Sequence, residues 1–330
     1  MKVKLISEST FTVKEHGVHT AFLQIKKLLE EQGVEVIVNS FGKADITHVH
    51  TVGPYSLTYL IRDEKTVISA HVVPDSFVGS LVLSEYWLSA SAKYLKFVYN
   101  RANLVLAVAS RVKGELEEMG VKSRIEVFPN PIDLSKFKRN SEAKRKIREK
   151  HNFSTNDFIV IGVGQIQSRK GVGDFIDAAR KLPHVKFVWV GGKPFGKLTK
   201  VDKDLQEKID NPLQNTLFLG TRSVEEMPNY YNMADVFLLP SFQENAPMAV
   251  IEAGANSLPI ILRDIEQYKL LYKEGYLAEK EDFAGQVGRL KEDRDFRERY
   301  SQEALKLASK FSTKTLGPKL IKYYEGVVNK

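Results

Sequence analysis

Cysteine is absent from this chain of 330 residues, which excludes a disulfide framework and any thiolate-ligated metal site. Long apolar runs are missing too: no stretch approaches the roughly 20 residues that a membrane-spanning helix requires. The opening Met1-Lys2-Val3-Lys4-Leu5-Ile6-Ser7-Glu8 carries positive charge but too short an apolar run for a secretory core. It reads as a first buried strand, and the expected compartment is the cytoplasm. Low-complexity tracts and short repeats are not found. Hydrophobic content of 43% and charged content of 27% fit a globular protein, not disorder or a membrane bundle. The length suits two domains better than one.

Positive charge is unevenly placed. Residues 136–150 hold eight Lys or Arg against Glu142 and Glu149, and so supply +6 of the net +8. Such a cluster can meet nucleic acid, anionic lipid or phosphorylated ligands, or simply form a solvated helix beside a linker. No groove-reading or RNA-binding motif accompanies it, so nucleic acid is not an expected partner.

Strand-like apolar runs alternate with helix-period segments from end to end, which predicts a parallel α/β architecture. In the first half the strands are 3–7, 34–39, 45–50, 66–71, 104–110 and 125–129. After Asn130-Pro131 the chain turns polar and basic, and then the pattern restarts with strands at 158–164, 185–191, 216–220, 234–240 and 259–262. Continuous runs such as Phe158–Gly164 and Ala234–Ser241 are what a sheet covered on both faces requires. The expected organisation is two Rossmann-like doubly wound domains, 1–135 and 153–311, joined by a basic linker at 136–152. A helix at 312–330, striped by Leu316, Leu320, Tyr323 and Val327, closes the chain.

The stretch from Pro240 to Ala253 follows a buried strand and opens a helix, with Pro247 suited to a first helical turn. It carries two carboxylates on either side of seven residues: Glu244 in the loop and Glu252 within the helix. Backbone N–H groups at a helix start favour an anionic phosphate, and ligands of such folds gather at the C-terminal edge of the sheet. A carboxylate inside the helix can accept paired hydrogen bonds from ribose hydroxyls, while the loop carboxylate faces a sugar. The alternative for either acid is a solvated surface glutamate. Asp202-Lys203-Asp204 and Asp293-Arg294-Asp295 mimic a metal-binding pair of aspartates but sit in charged helical surroundings. His48 and His50 alternate on one strand face with no evident third ligand. No metal is expected.

Residues 240–253 resemble the E-x7-E signature of glycosyltransferase family 4. Gly164-Gln165-Ile166-Gln167-Ser168-Arg169-Lys170-Gly171 resembles that family's donor loop, and Asn130-Pro131-Ile132-Asp133 resembles the segment closing its first domain. Phe187–Gly192, Leu219-Gly220 and Met227–Tyr231 sit where the family has its next strands and helix. The resemblance implies a GT-B fold, two such domains facing a central cleft, with the acceptor on the N-terminal side and the nucleotide sugar on the C-terminal side. It implies retention of anomeric configuration and no cofactor, the UDP-sugar being the donor substrate. Glu244, His71 and Lys170 then become catalytic candidates. Gly17, Gln165, Arg169, Lys170, Asn245, Ala246, Pro247, Met248 and Glu252 become donor-binding candidates. Gln165 stands where many members carry arginine, Arg169 where they carry glutamate, and Pro247 replaces a glycine whose N–H often touches the donor.

PSFQENAPMAVIEA followed by Arg263–Tyr268 resembles a narrower branch that makes diglycosyl-diacylglycerols on the inner face of bacterial membranes. That branch implies transfer of glucose, or galactose, to a membrane glycolipid by an enzyme peripheral to an anionic membrane surface. The aromatic and basic segment 77–101, with Trp87, Lys93, Tyr94, Lys96, Phe97 and Arg101, is the candidate surface for it; the alternative for half of these residues is an internal helix. The rival acceptor is a soluble sugar or a polysaccharide. A phosphorylase-like enzyme would need a pyridoxal-phosphate lysine and an insertion of which this chain gives no sign. A non-catalytic sugar-binding protein would have no reason for the paired glutamates and Lys170-Gly171.

Overall fold

The computed structural model describes residues 1–11, 17–74, 84–192 and 203–329. The chain divides into two compact units. Of the described residues, one takes 1–11, 17–74, 84–133 and 310–329, the other 134–192 and 203–309.

The first unit holds β1 (Lys2–Ile6), β2 (Glu35–Val38), β3 (Ile46–Val49), β4 (Thr66–Ala70), β5 (Leu104–Ala107) and β6 (Arg124–Val127), in the order β2-β1-β3-β4-β5-β6. The second holds β7 (Ile159–Val163), β8 (Lys186–Val190), β9 (Thr216–Phe218), β10 (Val236–Leu239), β11 (Ile260–Arg263) and β12 (Leu277–Glu279), in the order β12-β11-β10-β7-β8-β9. Among the described residues every pairing between these strands is parallel. Val3, Leu5, Ile68 and Leu106 are fully buried in the first sheet, and Ile161, Trp189, Phe237 and Leu262 in the second. Helices on both faces are why these strands are apolar on both sides. β12 is absent from the expected strands. Leu277-Ala278-Glu279 is a short, partly exposed edge and has no continuous apolar run to announce it.

The helices of the first unit are α1 (Gly17–Glu31), α2 (Pro54–Arg62), α3 (Ser84–Tyr99) and α4 (Ser110–Glu118); those of the second run from α5 (Ser141–Lys150) through α6 (Val172–Lys181), α7 (Lys203–Asp210), α8 (Met227–Met233), α9 (Met248–Ala255), α10 (Glu266–Tyr272), α11 (Phe283–Glu292) and α12 (Arg294–Ser309). The last helix, α13 (Thr313–Val328), returns to the first unit. There the Ile132 N–H donates to the Phe311 carbonyl at 2.9 Å and Tyr324 reaches His48.

Most of the basic run is exposed, but one of its cations is buried and a second half-buried. Arg148 is 2% exposed, donates to Asp235 at 2.8 Å, and also reaches the carbonyls of Met233, Thr155 and Asp157. Lys144 pairs with the other oxygen of Asp235 at 2.7 Å. Two of the eight cations therefore tie α5 to the start of β10, where Asp235 sits. Among the described residues no helix is long and apolar enough to cross a membrane.

Candidate active site

The second sheet changes winding direction between β7 and β10, which are neighbours in space although far apart in sequence. At such a switch point the loops leaving two adjacent parallel strands diverge and leave a crevice at the C-terminal edge. The loop after β7 carries residues 164–171 and the loop after β10 carries 240–247. Both singled-out motifs therefore open from adjoining strands.

Lys170 and Glu244 meet there as an ion pair, their side chains 12% and 7% exposed. Ser241 Oγ donates to the same carboxylate at 2.8 Å, which holds Glu244 from within its own loop. Burial draws the Lys170 ammonium below its ordinary pKa, and Glu244 opposes that shift. Gly171 makes the close approach possible. Its φ is +70°, and a Cβ there would lie 2.0 Å from the Pro240 carbonyl oxygen, so only glycine lets the two loops touch. Arg169 reinforces the seam: its carbonyl accepts the Phe242 N–H at 2.8 Å and its Nη1 donates to the Gln243 carbonyl at 3.3 Å.

Glu252 lies one turn into α9 and is 6% exposed. Tyr231 of α8 donates its hydroxyl to Glu252 Oε2 at 2.7 Å. Burial pushes the Glu252 carboxyl up to about 7, with the Tyr231 hydrogen bond opposing the shift. The proton of this acid is therefore mobile near neutral pH. Asn245, Ala246 and Pro247 are half-buried in the loop, Met248 opens α9, and Pro247 is its N-cap. Proline at the cap brings no N–H of its own. Gln165 is half-buried at the mouth of the β7 loop. Gln167, two residues on, is fully buried, and neither end of its amide has a hydrogen-bond partner among the described residues.

In the first unit, Gly17 opens α1 with free space where a Cβ would stand. His71 follows β4 and stacks on His50, ring centroids 5.8 Å apart. His50 lies 4.2 Å from His48, whose Nδ1 meets the Tyr324 hydroxyl at 2.6 Å and whose Nε2 meets Ser69 at 2.9 Å. Burial lowers the His48 pKa to about 3. His48 and His50 are thus neutral core groups. Among the described residues no group of three or more His, Cys, Asp or Glu is placed to hold a metal ion.

On α3, Lys93, Tyr94, Lys96 and Phe97 face outward, followed by exposed Arg101, while Leu95, Val98 and Tyr99 are buried. The Arg101 guanidinium lies 4.6 Å from the Phe97 ring centre. The Trp87 side chain lies outside the described residues, as does Asp202.

Tyr231 and Phe242 were not among the expected site residues. Tyr231 stands in the Met227–Tyr231 stretch that resembles the family's next helix, and only the fold brings it to Glu252. Phe242 is 53% exposed beside Glu244, and its place within the signature was the one signal available.

A family model described as glycosyl transferases group 1 matches residues 143–307, and one described as glycosyltransferase family 4 matches residues 18–136. The chain is 32% identical over 286 residues to the alpha-galactosylglucosyldiacylglycerol synthase of Streptococcus pneumoniae, covering 84% of this chain and 76% of that one. It is 28% identical over 288 residues to the processive diacylglycerol alpha-glucosyltransferase of Acholeplasma laidlawii, covering 86% and 85%. Among solved structures it is similar to Anabaena HepE in complex with UDP and glucose, with a TM-score of 0.77 at 19% identity over 98% of this chain and 99% of that one. Sucrose-phosphate synthase of Thermosynechococcus elongatus gives a TM-score of 0.77 at 15% identity over 99% of both chains. The last two likenesses establish the GT-B fold.

Proposed function

Because the chain belongs to glycosyltransferase family 4 and is a hexosyltransferase, we propose that it moves glucose, or galactose, from a UDP-sugar to a monoglycosyl-diacylglycerol with retention of configuration. The observation that carries this reading is the buried Lys170–Glu244 pair in the loops at the switch point of the second sheet, with the Tyr231–Glu252 pair on the helix that follows. Names of relatives that act on diacylglycerol lipids support the acceptor.

In this reading Glu252 accepts hydrogen bonds from the ribose hydroxyls. The diphosphate lies toward Lys170, Arg169 and the N–H groups at the start of α9, with Gln165, Asn245 and Ala246 lining its approach. As the bond from the anomeric carbon to the diphosphate oxygen lengthens, negative charge grows on UDP and positive charge on the sugar ring. Fixed cations and helix dipoles beside the leaving oxygen stabilise that change without reorganising. Lys170 is buried, so its attraction for the diphosphate is screened less than at the surface, with part of its charge met by Glu244. Glu244 holds and polarises the sugar, and turnover needs no metal.

The enzyme works at the inner face of the cell membrane as a peripheral cytoplasmic protein. The exposed face of α3, with Lys93, Tyr94, Lys96, Phe97 and Arg101, meets anionic lipid. Each cation near such a surface contributes about 1 kcal/mol, screened within a Debye length of about 8 Å at physiological salt. Co-sedimentation tests this reading. Anionic vesicles should retain the protein better than zwitterionic ones, salt should weaken that binding, and glutamine at Lys93, Lys96 and Arg101 should reduce it while UDP affinity is unchanged. Equal binding to both vesicle types, with full activity on a soluble sugar, would remove the glycolipid acceptor.

A further inference from the structure

Phe242 is an exposed aromatic ring in a catalytic loop, and it is held rigidly. Its backbone N–H is fixed on the Arg169 carbonyl at 2.8 Å. The Arg263 guanidinium lies 3.8 Å from its ring centre and 5.2 Å from that of buried Phe283. Arg263 cannot swing away, because it donates to the Pro240 carbonyl at 2.9 Å, to the Lys280 carbonyl at 3.0 Å and to Asp174 at 2.8 Å. The result is a layered stack of Phe283, Arg263 and Phe242, with the outermost ring 53% exposed. Two residues further on, Glu244 is locked by Lys170 and Ser241.

We propose that the open side of Phe242 is the stacking platform for a pyranose ring of the acceptor, an inference that rests on the glycosyltransferase reading above. One side of a pyranose is a patch of C–H groups with slight positive charge, and it matches the negative face of an aromatic ring. A ring already fixed in place loses little conformational freedom when a sugar settles on it. The acceptor is the better occupant than the donor. The donor's partners, Lys170, Glu244 and Glu252, are buried, whereas Phe242 faces outward from the same loop. Arg263 serves as a positioning residue that sets the tilt of the platform.

The test uses the full-length enzyme with UDP-glucose and monoglucosyl-diacylglycerol in vesicles. Phe242→Ala and Phe242→Leu should raise the acceptor KM about tenfold, and Phe242→Trp should stay within about twofold of wild type. UDP affinity, read by calorimetry, should not change in any of the three. Leucine separates stacking from mere apolar contact, and circular dichroism and thermal unfolding of the three variants report any misfolding independently of UDP. An unchanged acceptor KM in Phe242→Ala overturns the platform, as does a UDP affinity that falls in step with it, because the ring would then serve the donor. If wild type transfers only to a soluble sugar, the glycolipid acceptor fails instead, and the same variants assayed on that sugar decide the platform.

Discussion

Lys170 and Glu244 are 74 residues apart in sequence and form one buried ion pair at the seam between the β7 and β10 loops. Deleting one partner strands the other as an unpaired charge. Lys170→Met and Glu244→Gln should each cost about 3–5 kcal/mol of stability. The double variant should cost clearly less than the two losses combined, since it leaves no charge behind. Denaturant unfolding of the four proteins measures this cycle. Strict additivity would show that the pair is not coupled in solution.

Glu252 gives the protein a pH signature. With its carboxyl pushed up to about 7, the folded chain holds a proton that the unfolded chain has released above about pH 4.5. Stability from this group is fully present below about pH 4.5 and is lost as pH rises through about 7. At pH 8, Glu252→Gln should therefore be more stable than wild type, by at most on the order of 3 kcal/mol. The advantage should fade toward pH 4.5. Ribose hydroxyls need the ionised form, so UDP should bind wild type more weakly at pH 6 than at pH 8, and part of that change should vanish in Glu252→Gln. Chemical denaturation and UDP titration across this range are the measurements. A variant that is less stable than wild type at pH 8 would contradict the assignment.

Gln167 offers a stability gain. Its amide is fully buried with no hydrogen-bond partner among the described residues, and such a group costs about 1–3 kcal/mol. Gln167→Met keeps the length of the side chain and removes the polar atoms, so it should raise the thermal midpoint. A lower midpoint would mean that the amide is satisfied in solution.

Doubly wound sheets were legible because continuous apolar runs such as Phe158–Gly164 can only be strands covered on both faces. β12 was not, because Leu277–Glu279 is short and half-exposed. The acidic signature located Glu244 and Glu252, but their partners came from the fold. Lys170 reaches Glu244 because β7 and β10 are neighbours, and Tyr231 reaches Glu252 because α8 lies against α9. Nor does spacing separate the clamped Arg148 from exposed Lys150, although both stand in the same basic run. Burial and pairing of that kind are tertiary facts, decided by what the rest of the chain places alongside.

Chelation gives a further expectation. If the diphosphate charge is met as proposed by Lys170, Arg169 and the start of α9, turnover should be unchanged in excess EDTA. Loss of activity restored by manganese would direct attention to Asp202 and Asp204.

The most direct test of the central claim is the product formed from UDP-glucose and monoglucosyl-diacylglycerol, identified by mass spectrometry with the new anomeric configuration read by NMR. UDP-galactose is run in parallel. The account predicts a diglycosyl-diacylglycerol with an alpha linkage, made with one of the two donors by wild type. Glu244→Ala should make far less of it while still binding UDP, and Glu252→Ala should bind UDP about ten- to a hundredfold more weakly. A beta-linked product, or a Glu244→Ala and Glu252→Ala pair indistinguishable from wild type, would contradict it.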